Sequence, residues 1–299
     1  MAHAPHRLLL VVLLAILAAM VSSCGVAAGG FSGKRALRHV QAQCDLGPRP
    51  VGSEANRQAA DYIAAHLKST GWEVEEQSFA FGEMPLRNVI GKKGSGPLII
   101  LGTHFDTRPV ADRDPDNRSA AVLGANDGAS GTAVLLELAR TLGEEATDQA
   151  EIWLAFFDGE DQGELNDWPW CVGSTHMANS LDRRAEYVIV VDMIGDADQQ
   201  VYYEWTSSLW LQERLWAVAD DLGYRRQFIP EHRYSILDDH TPFLQRGNSA
   251  ALVIDFDYPY WHTTHDTVDK ISAESLQRVG DVLQALLEGQ PFAQATDAP

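Results

Sequence analysis

The chain has 299 residues, 45% of them hydrophobic, and 42 Asp and Glu against 23 Lys and Arg, for a formal net charge of −19. That length and apolar content suit one α/β catalytic domain with a substantial buried core. The acidic balance argues against nucleic acid as a partner, since phosphate binding needs clustered Lys and Arg. The surplus carboxylates solvate the surface or, in part, converge on a metal.

Residues 1–24 read as an export signal. Met1–Arg7 is short and weakly basic, Leu8–Met20 is apolar, and Val21-Ser22-Ser23 offers small residues for cleavage. The apolar run is short for a membrane span. Cys24 after small residues resembles a bacterial lipoprotein box, in which the cysteine becomes lipid-modified; an ordinary cleaved signal is the alternative. The expected location is the cell envelope, the periplasm or the medium, with membrane contact only through a lipid on Cys24. Cys44 and Cys171 remain, to pair in an oxidising compartment or to stay as two buried thiols.

Residues 25–34 read as a Gly-rich linker, 35–289 as the catalytic domain and 290–299 as a disordered tail. Arg35–Gln43 predicts a short helix, broken by Gly47-Pro48-Arg49-Pro50. Ser53 is a good N-cap for a helix to about Thr70, which Gly71 stops. Trp72–Phe81 alternates as a strand, and Leu86–Ile90 reads as another. Four dense apolar runs follow, beginning at Pro97, Ile152, Tyr187 and Ala250. Their lack of alternation fits central strands covered on both faces. Helical patterns at Gly131–Leu142, Ser208–Leu222, His240–Arg246 and Ala273–Leu287 alternate with them. The class is therefore α/β, a single domain with a mostly parallel central sheet and helices on both faces.

Each apolar run leads into polar residues: His104 after the first, Glu160 and Asp161 after the second, Asp192 after the third, and Asp255, Asp257 and His262 after the fourth. Asp127 precedes a helix. In open α/β sheets such residues meet beyond the carboxyl ends of the strands. Histidines mixed with carboxylates, without spaced thiols, suit zinc or a similar divalent ion. Carboxylates packed so closely cannot all stay ionised without a cation among them. In the Glu160-Asp161 pair, one carboxylate can bind metal while its neighbour serves as a general acid/base. Singly, each residue has a plainer role: a polar strand cap for His104, an N-cap for Asp127, an Asx turn for Asp192. Their recurrence at strand ends favours a shared site.

The ordered motifs GTHFD, GANDGASG, FFDGED, VVDMIG and WHTTHD resemble metallopeptidase family 28, which includes dizinc aminopeptidases and glutaminyl cyclases; the resemblance runs from about Arg35 to Gly289. It implies that His104, Asp127, Asp161, Asp192 and His262 match the ligands of the dizinc members, and Glu160 the general base. In the cyclases Asp127, Asp161 and His262 would hold one zinc. Asp161 stands where many relatives have Glu. Three features resemble the cyclase branch. The LDDHTPFL segment has a first Asp, Asp238, that would share protons with the reacting groups. Trp261 directly precedes His262. A long segment between Glu160 and Gly173 carries Trp168 and Trp170, which with Trp261 would wall the substrate pocket. A histidine that animal cyclases carry is missing near Leu252 or Asp255. The resemblance implies cyclisation of N-terminal Gln on peptides or proteins, with one zinc and with Glu160, Asp192 and Asp238 as catalytic groups. The alternatives are a dizinc aminopeptidase using His104 and Asp192 as further ligands, and a non-catalytic binding domain of the same fold.

Overall fold

The computed structural model describes residues 30–289. The expected signal at 1–24 with Cys24, the first part of the linker and the tail at 290–299 lie outside the described residues. The domain begins earlier than expected. Phe31 is buried in the core and helix α1 spans Gly33–Asp45, so Phe31–Lys34 belong to the fold rather than to the linker. Gln277 ties them down, accepting from the Gly33 N–H at 2.7 Å and donating to the Phe31 carbonyl at 2.9 Å.

Helix α2 (Glu54–Ser69) starts as its sequence demands. The Ser53 hydroxyl accepts the Asn56 N–H at 3.0 Å, and Gly71 beyond its end has φ +82°. Strands β1 (Glu73–Phe81) and β2 (Met84–Gly94) form a hairpin. Then come β3 (Leu98–His104), helix α3 (Ala129–Thr141), a short α4 (Glu144–Thr147), β4 (Glu151–Phe157), helix α5 (Val172–Ser180) and β5 (Tyr187–Asp192). The remainder is β6 (Val201–Glu204), helix α6 (Leu209–Asp221), β7 (Phe228–Tyr234), α7 (Thr241–Gln245), β8 (Ala250–Ile254) and α8 (Ala273–Glu288).

The central sheet has the order β1-β2-β4-β3-β5-β8. Strands β4, β3, β5 and β8 are parallel, with β8 at one edge, and the β1–β2 hairpin adds an antiparallel pair at the other. Alternate residues of each apolar run feed opposite faces. Ile99, Leu101, Leu154, Ile189 and Val253 meet α1, α2, α3, α6 and α8, while Ile100, Ala155, Val190 and Leu252 meet α5 and α7. Dense apolar strands thus take helices on both faces, as their pattern requires. Helix α3 lies very close to the sheet: a Cβ on Gly131 would stand 2.6 Å from the Val191 carbonyl oxygen. That approach brings the α3 N-terminus level with the strand ends.

Four elements went unread. Helix α5 has almost no amphipathic stripe (VGSTHMANS), α4 is a single turn, and β6 and β7 form a separate two-stranded sheet whose second strand contains Pro230. Cys44 and Cys171 are buried free thiols.

Arg49, expected only as part of a breaker, is fully buried. Its guanidinium donates to the carbonyls of Phe105 (3.1 Å), Leu123 (3.0 Å) and Gly124 (2.9 Å), pinning the loops after β3 and before α3. Arg49→Met would strand those carbonyls; a stability loss of about 3 kcal/mol is expected, read as a lower urea midpoint at unchanged slope.

Candidate metal centre

His104 and Asp192 are the last residues of β3 and β5, Asp161 follows β4, His262 follows β8, and Asp127 precedes α3. Asp127 stands in the middle. Its Oδ1 is 3.1 Å from His104 Nε2, which is also 3.1 Å from Asp192 Oδ1. Its Oδ2 faces His262 Nε2 at 3.7 Å, and that nitrogen is 3.1 Å from Asp161 Oδ1. The result is two buried triads, His104–Asp127–Asp192 and Asp127–Asp161–His262, which share Asp127. Asp161 reaches its triad although it is one methylene shorter than Glu.

Several residues hold this arrangement, and sequence reasoning assigned them no role. The Asp106 carboxylate accepts the N–H groups of Glu160 and Asp161, both at 3.1 Å, drawing that loop inward. Asp266 does the same for Asn126 (2.8 Å) and Asp127 (3.1 Å), while Tyr258 donates its hydroxyl to it at 2.7 Å. Both acids lie inside the quoted motifs, which was the available signal. Asp112 lies in a loop without periodicity. Its Oδ1 is 3.1 Å from His262 Nδ1, and Arg108 Nη2 donates to its Oδ2 at 2.7 Å. Arg108 also donates to the carbonyls of Gly163 (2.7 Å) and Asp161 (3.2 Å). A carboxylate on the far nitrogen of a ligating histidine fixes its tautomer and orientation. His262 itself has φ +56°, a left-handed conformation uncommon outside glycine, held by this surrounding.

Beside the triads lies a cavity of about 210 Å³. Glu160, Asp192 and Asp238 all reach it, with Trp170 and Trp261 on its wall. The Trp170 ring stacks at 6.1 Å from that of His262, and Trp261 is 4.2 Å from it. Gly163 makes room for Trp170, since a Cβ there would stand 1.9 Å from the indole. Trp168 does not line the cavity. Its ring packs on Phe81 at 4.6 Å, so the expected third tryptophan of the wall is absent. Asp255 accepts N–H groups of Gln200 and Asp257 instead of facing the cavity, and Leu252 is buried in β8.

Crowding sets the protonation. Burial pushes the Glu160 carboxyl well above its usual range, and Asp239, Asp238 and Asp161 add to the rise against an opposing His104. Asp238 is raised likewise, by burial and then by Asp192 and Asp239. Burial and the neighbouring Asp127 push Asp161 up to about 7. Asp127 behaves oppositely: burial works against its charge, but His104, His262 and Arg108 outweigh burial and lower its pKa. Burial also opposes charge on His262, yet Asp161, Asp112 and Asp127 carry it up to about 9.

Asp127 Oδ2 and Asp161 Oδ2 are buried without a hydrogen-bond partner. A divalent cation supplies what these oxygens lack, and the mixed nitrogen and oxygen donors fit zinc. The model of peptidase family M28 matches residues 88–287. The chain belongs to peptidase family M28. Among solved structures, a Zn-dependent exopeptidase from Parabacteroides distasonis superposes with TM-score 0.82 at 30% identity, covering 88% of this chain and 100% of that one. The glutaminyl cyclase of Porphyromonas gingivalis gives 0.82 at 32% identity, covering 86% and 98%. A bovine glutaminyl-peptide cyclotransferase-like protein is 25% identical over 280 residues, 80% of this chain and 71% of its own.

If Asp112 orients His262, Asp112→Asn lowers zinc affinity by roughly 10- to 100-fold. Competition with a chromophoric chelator measures this, and the fold should be unaltered by circular dichroism.

Proposed function

We propose that this chain is a zinc-dependent glutaminyl-peptide cyclotransferase, converting an N-terminal Gln of peptides or proteins to pyroglutamate with release of ammonia. The observation that carries this reading is the placement of Glu160 and Asp238, two buried carboxyls of raised pKa, in one small aromatic-walled cavity beside His262. At about 210 Å³ the cavity suits a single side chain; pockets for drug-sized ligands run from roughly 300 to 1,000 Å³.

Cyclisation joins the α-amine to the side-chain amide carbon and breaks that carbon's bond to nitrogen, all within one molecule. Holding the two ends together therefore supplies much of the rate. Glu160 takes a proton from the attacking amine and returns one to the departing ammonia, which calls for a carboxyl whose pKa burial has raised. Asp192 and Asp238 hold hydrogen bonds around the reacting amide. Trp170 and Trp261 pack against the substrate and keep water out, which favours ring closure over hydrolysis. Zinc at Asp127, Asp161 and His262, when bound, supplies a Lewis acid for the amide oxygen.

The paired triads favour a second reading. Two carboxylate–histidine sets sharing Asp127 suit two ions, and with them a dizinc aminopeptidase in which His104 and Asp192 are ligands. Incubation with a Gln-initiated and a Leu-initiated peptide separates the two. Ammonia from the first, with the second intact, is expected; free Leu would establish the peptidase instead. Glu160→Gln should slow either reaction by at least about 100-fold with zinc retained, and undiminished turnover would remove Glu160 from the chemistry. An exported, lipid-anchored location is part of the same proposal, supported by Leu8–Met20 and Cys24. Fatty-acid labelling should disappear in Cys24→Ala.

A further inference from the structure

The cavity wall at residues 235–238 is not a strand or a helix. It follows β7 and precedes α7, and it brings Ser235, Ile236, Leu237 and Asp238 to the cavity. A segment without ladder bonds needs another anchor to hold a carboxyl in a working position. Leu237 in its middle is 58% exposed, so the backbone before the buried Asp238 is not held by packing of that side chain.

Glu204, the last residue of β6, does. Its side chain is 1% exposed and does not line the cavity. Its Oε1 accepts the Ile236 N–H at 3.0 Å, and its Oε2 lies 3.3 Å from Nε2 of the fully buried His240. One carboxylate thus grips both ends of Ile236–His240, with Asp238 between the two points. The grip has a fixed base. Glu204 also accepts the Thr206 and Ser207 N–H groups (2.9 and 2.8 Å) and both of their hydroxyls (2.9 and 2.8 Å). The Ser207 hydroxyl in turn accepts the Leu252 N–H at 3.0 Å, tying the knot to β8. Thr206 Oγ1 is 2.9 Å from His240 Nε2, closing the ring of contacts. Burial opposes ionisation of Glu204, but His240 and the Thr206 and Ile236 N–H groups hold its carboxyl down at about 2, so it is a full anion at neutral pH.

We propose that Glu204 is the positioning residue of the active-site wall, holding Ile236–His240 so that Asp238 stays set against the substrate and Glu160. The inference rests on the cyclase reading only in taking Asp238 as a group that works on substrate. A buried carboxylate with this many donors is worth far more intact than halved, because each lost bond leaves a donor of the knot unmet.

The test is a mutant cycle on the zinc-loaded full chain, using Glu204→Gln, Asp238→Asn and the double variant. Glu204→Gln keeps the shape and one acceptor oxygen, so it is the variant expected to fold. It should retain zinc and lower kcat on a Gln-initiated peptide by roughly 10- to 100-fold, the scale of a misplacement near 1 Å, with KM changing less. In the Asp238→Asn background the same substitution should cost at most about twofold, because interacting sites are non-additive. Hydrogen exchange followed by mass spectrometry should show faster exchange over 235–241 and unchanged exchange in β3 and β5. An unaltered kcat in Glu204→Gln, or an equal loss in both backgrounds, overturns the proposal. So does rapid exchange of the Ile236 amide in the unsubstituted protein, a reading that needs no variant to fold. If the parent chain does not cyclise Gln, the cyclase reading falls, and the exchange measurements alone decide whether Glu204 holds the wall.

Discussion

Like charge packed beyond the reach of water is the constraint around which this molecule is arranged. Glu160, Asp161, Asp192 and Asp238 are buried and border one cavity, and Asp127 sits buried among them. Such a group has two ways to survive: some members keep their protons, or a cation enters. Both routes are built in, since Asp127 between two histidines is pushed toward the charged form while Glu160 and Asp238 are pushed toward the neutral one. On the proposed reading, Asp127 belongs to the metal site and Glu160 and Asp238 to proton transfer. The sheet makes the crowding tolerable by fixing Glu160 and Asp161 beyond β4 and Asp192 at the end of β5, while Asp127 is set at the start of α3 and Asp238 on a loop. The supporting carboxyl groups of Asp106 and Asp266 accept backbone N–H groups and do not line the cavity.

On the two proposed readings, the same frame would serve ring closure or hydrolysis. The aromatic wall and Asp238 favour a reaction that excludes water, whereas the His104 triad would suit one that needs a second ion. The two readings part at His104 and Asp192, ligands in one and supporting groups in the other, and at the loops beside them, above all the Glu160–Gly173 segment and residues 235–238. This is the expected division of labour in an α/β domain, where a rigid sheet carries loops that determine the chemistry.

What could be read from the residues follows the same line. His104, Asp127, Asp161 and Asp192 were legible because each lies close to a strong local signal, an apolar run or a helix start, whereas His262, eight residues beyond β8, was legible only through its motif. The central strands were legible because unalternated apolar runs have few other uses. Trp168 was misjudged because composition places a tryptophan in a loop but does not aim its ring, and Phe81 on a distant strand takes it. Phe31 was missed because a Gly-rich stretch reads as a tether until its one aromatic finds the core. Asp112 and Glu204 act across 150 and 32 residues of chain, on His262 and Ile236, a kind of contact that no local period records. Helix α5 has almost no stripe; its position is set by packing against the sheet.

The two free thiols have a practical consequence. Burial pushes the Cys44 thiol up to about 11 and Cys171 well above its usual value, the latter with Glu160 nearby. At neutral pH neither offers much thiolate to an alkylating reagent. Once Cys24 is replaced, a cysteine introduced at the exposed Leu237 would be the preferred target for maleimide. A fluorophore or spin label placed there would sit on the rim of the cavity, and would report in real time how that rim responds when a peptide arrives.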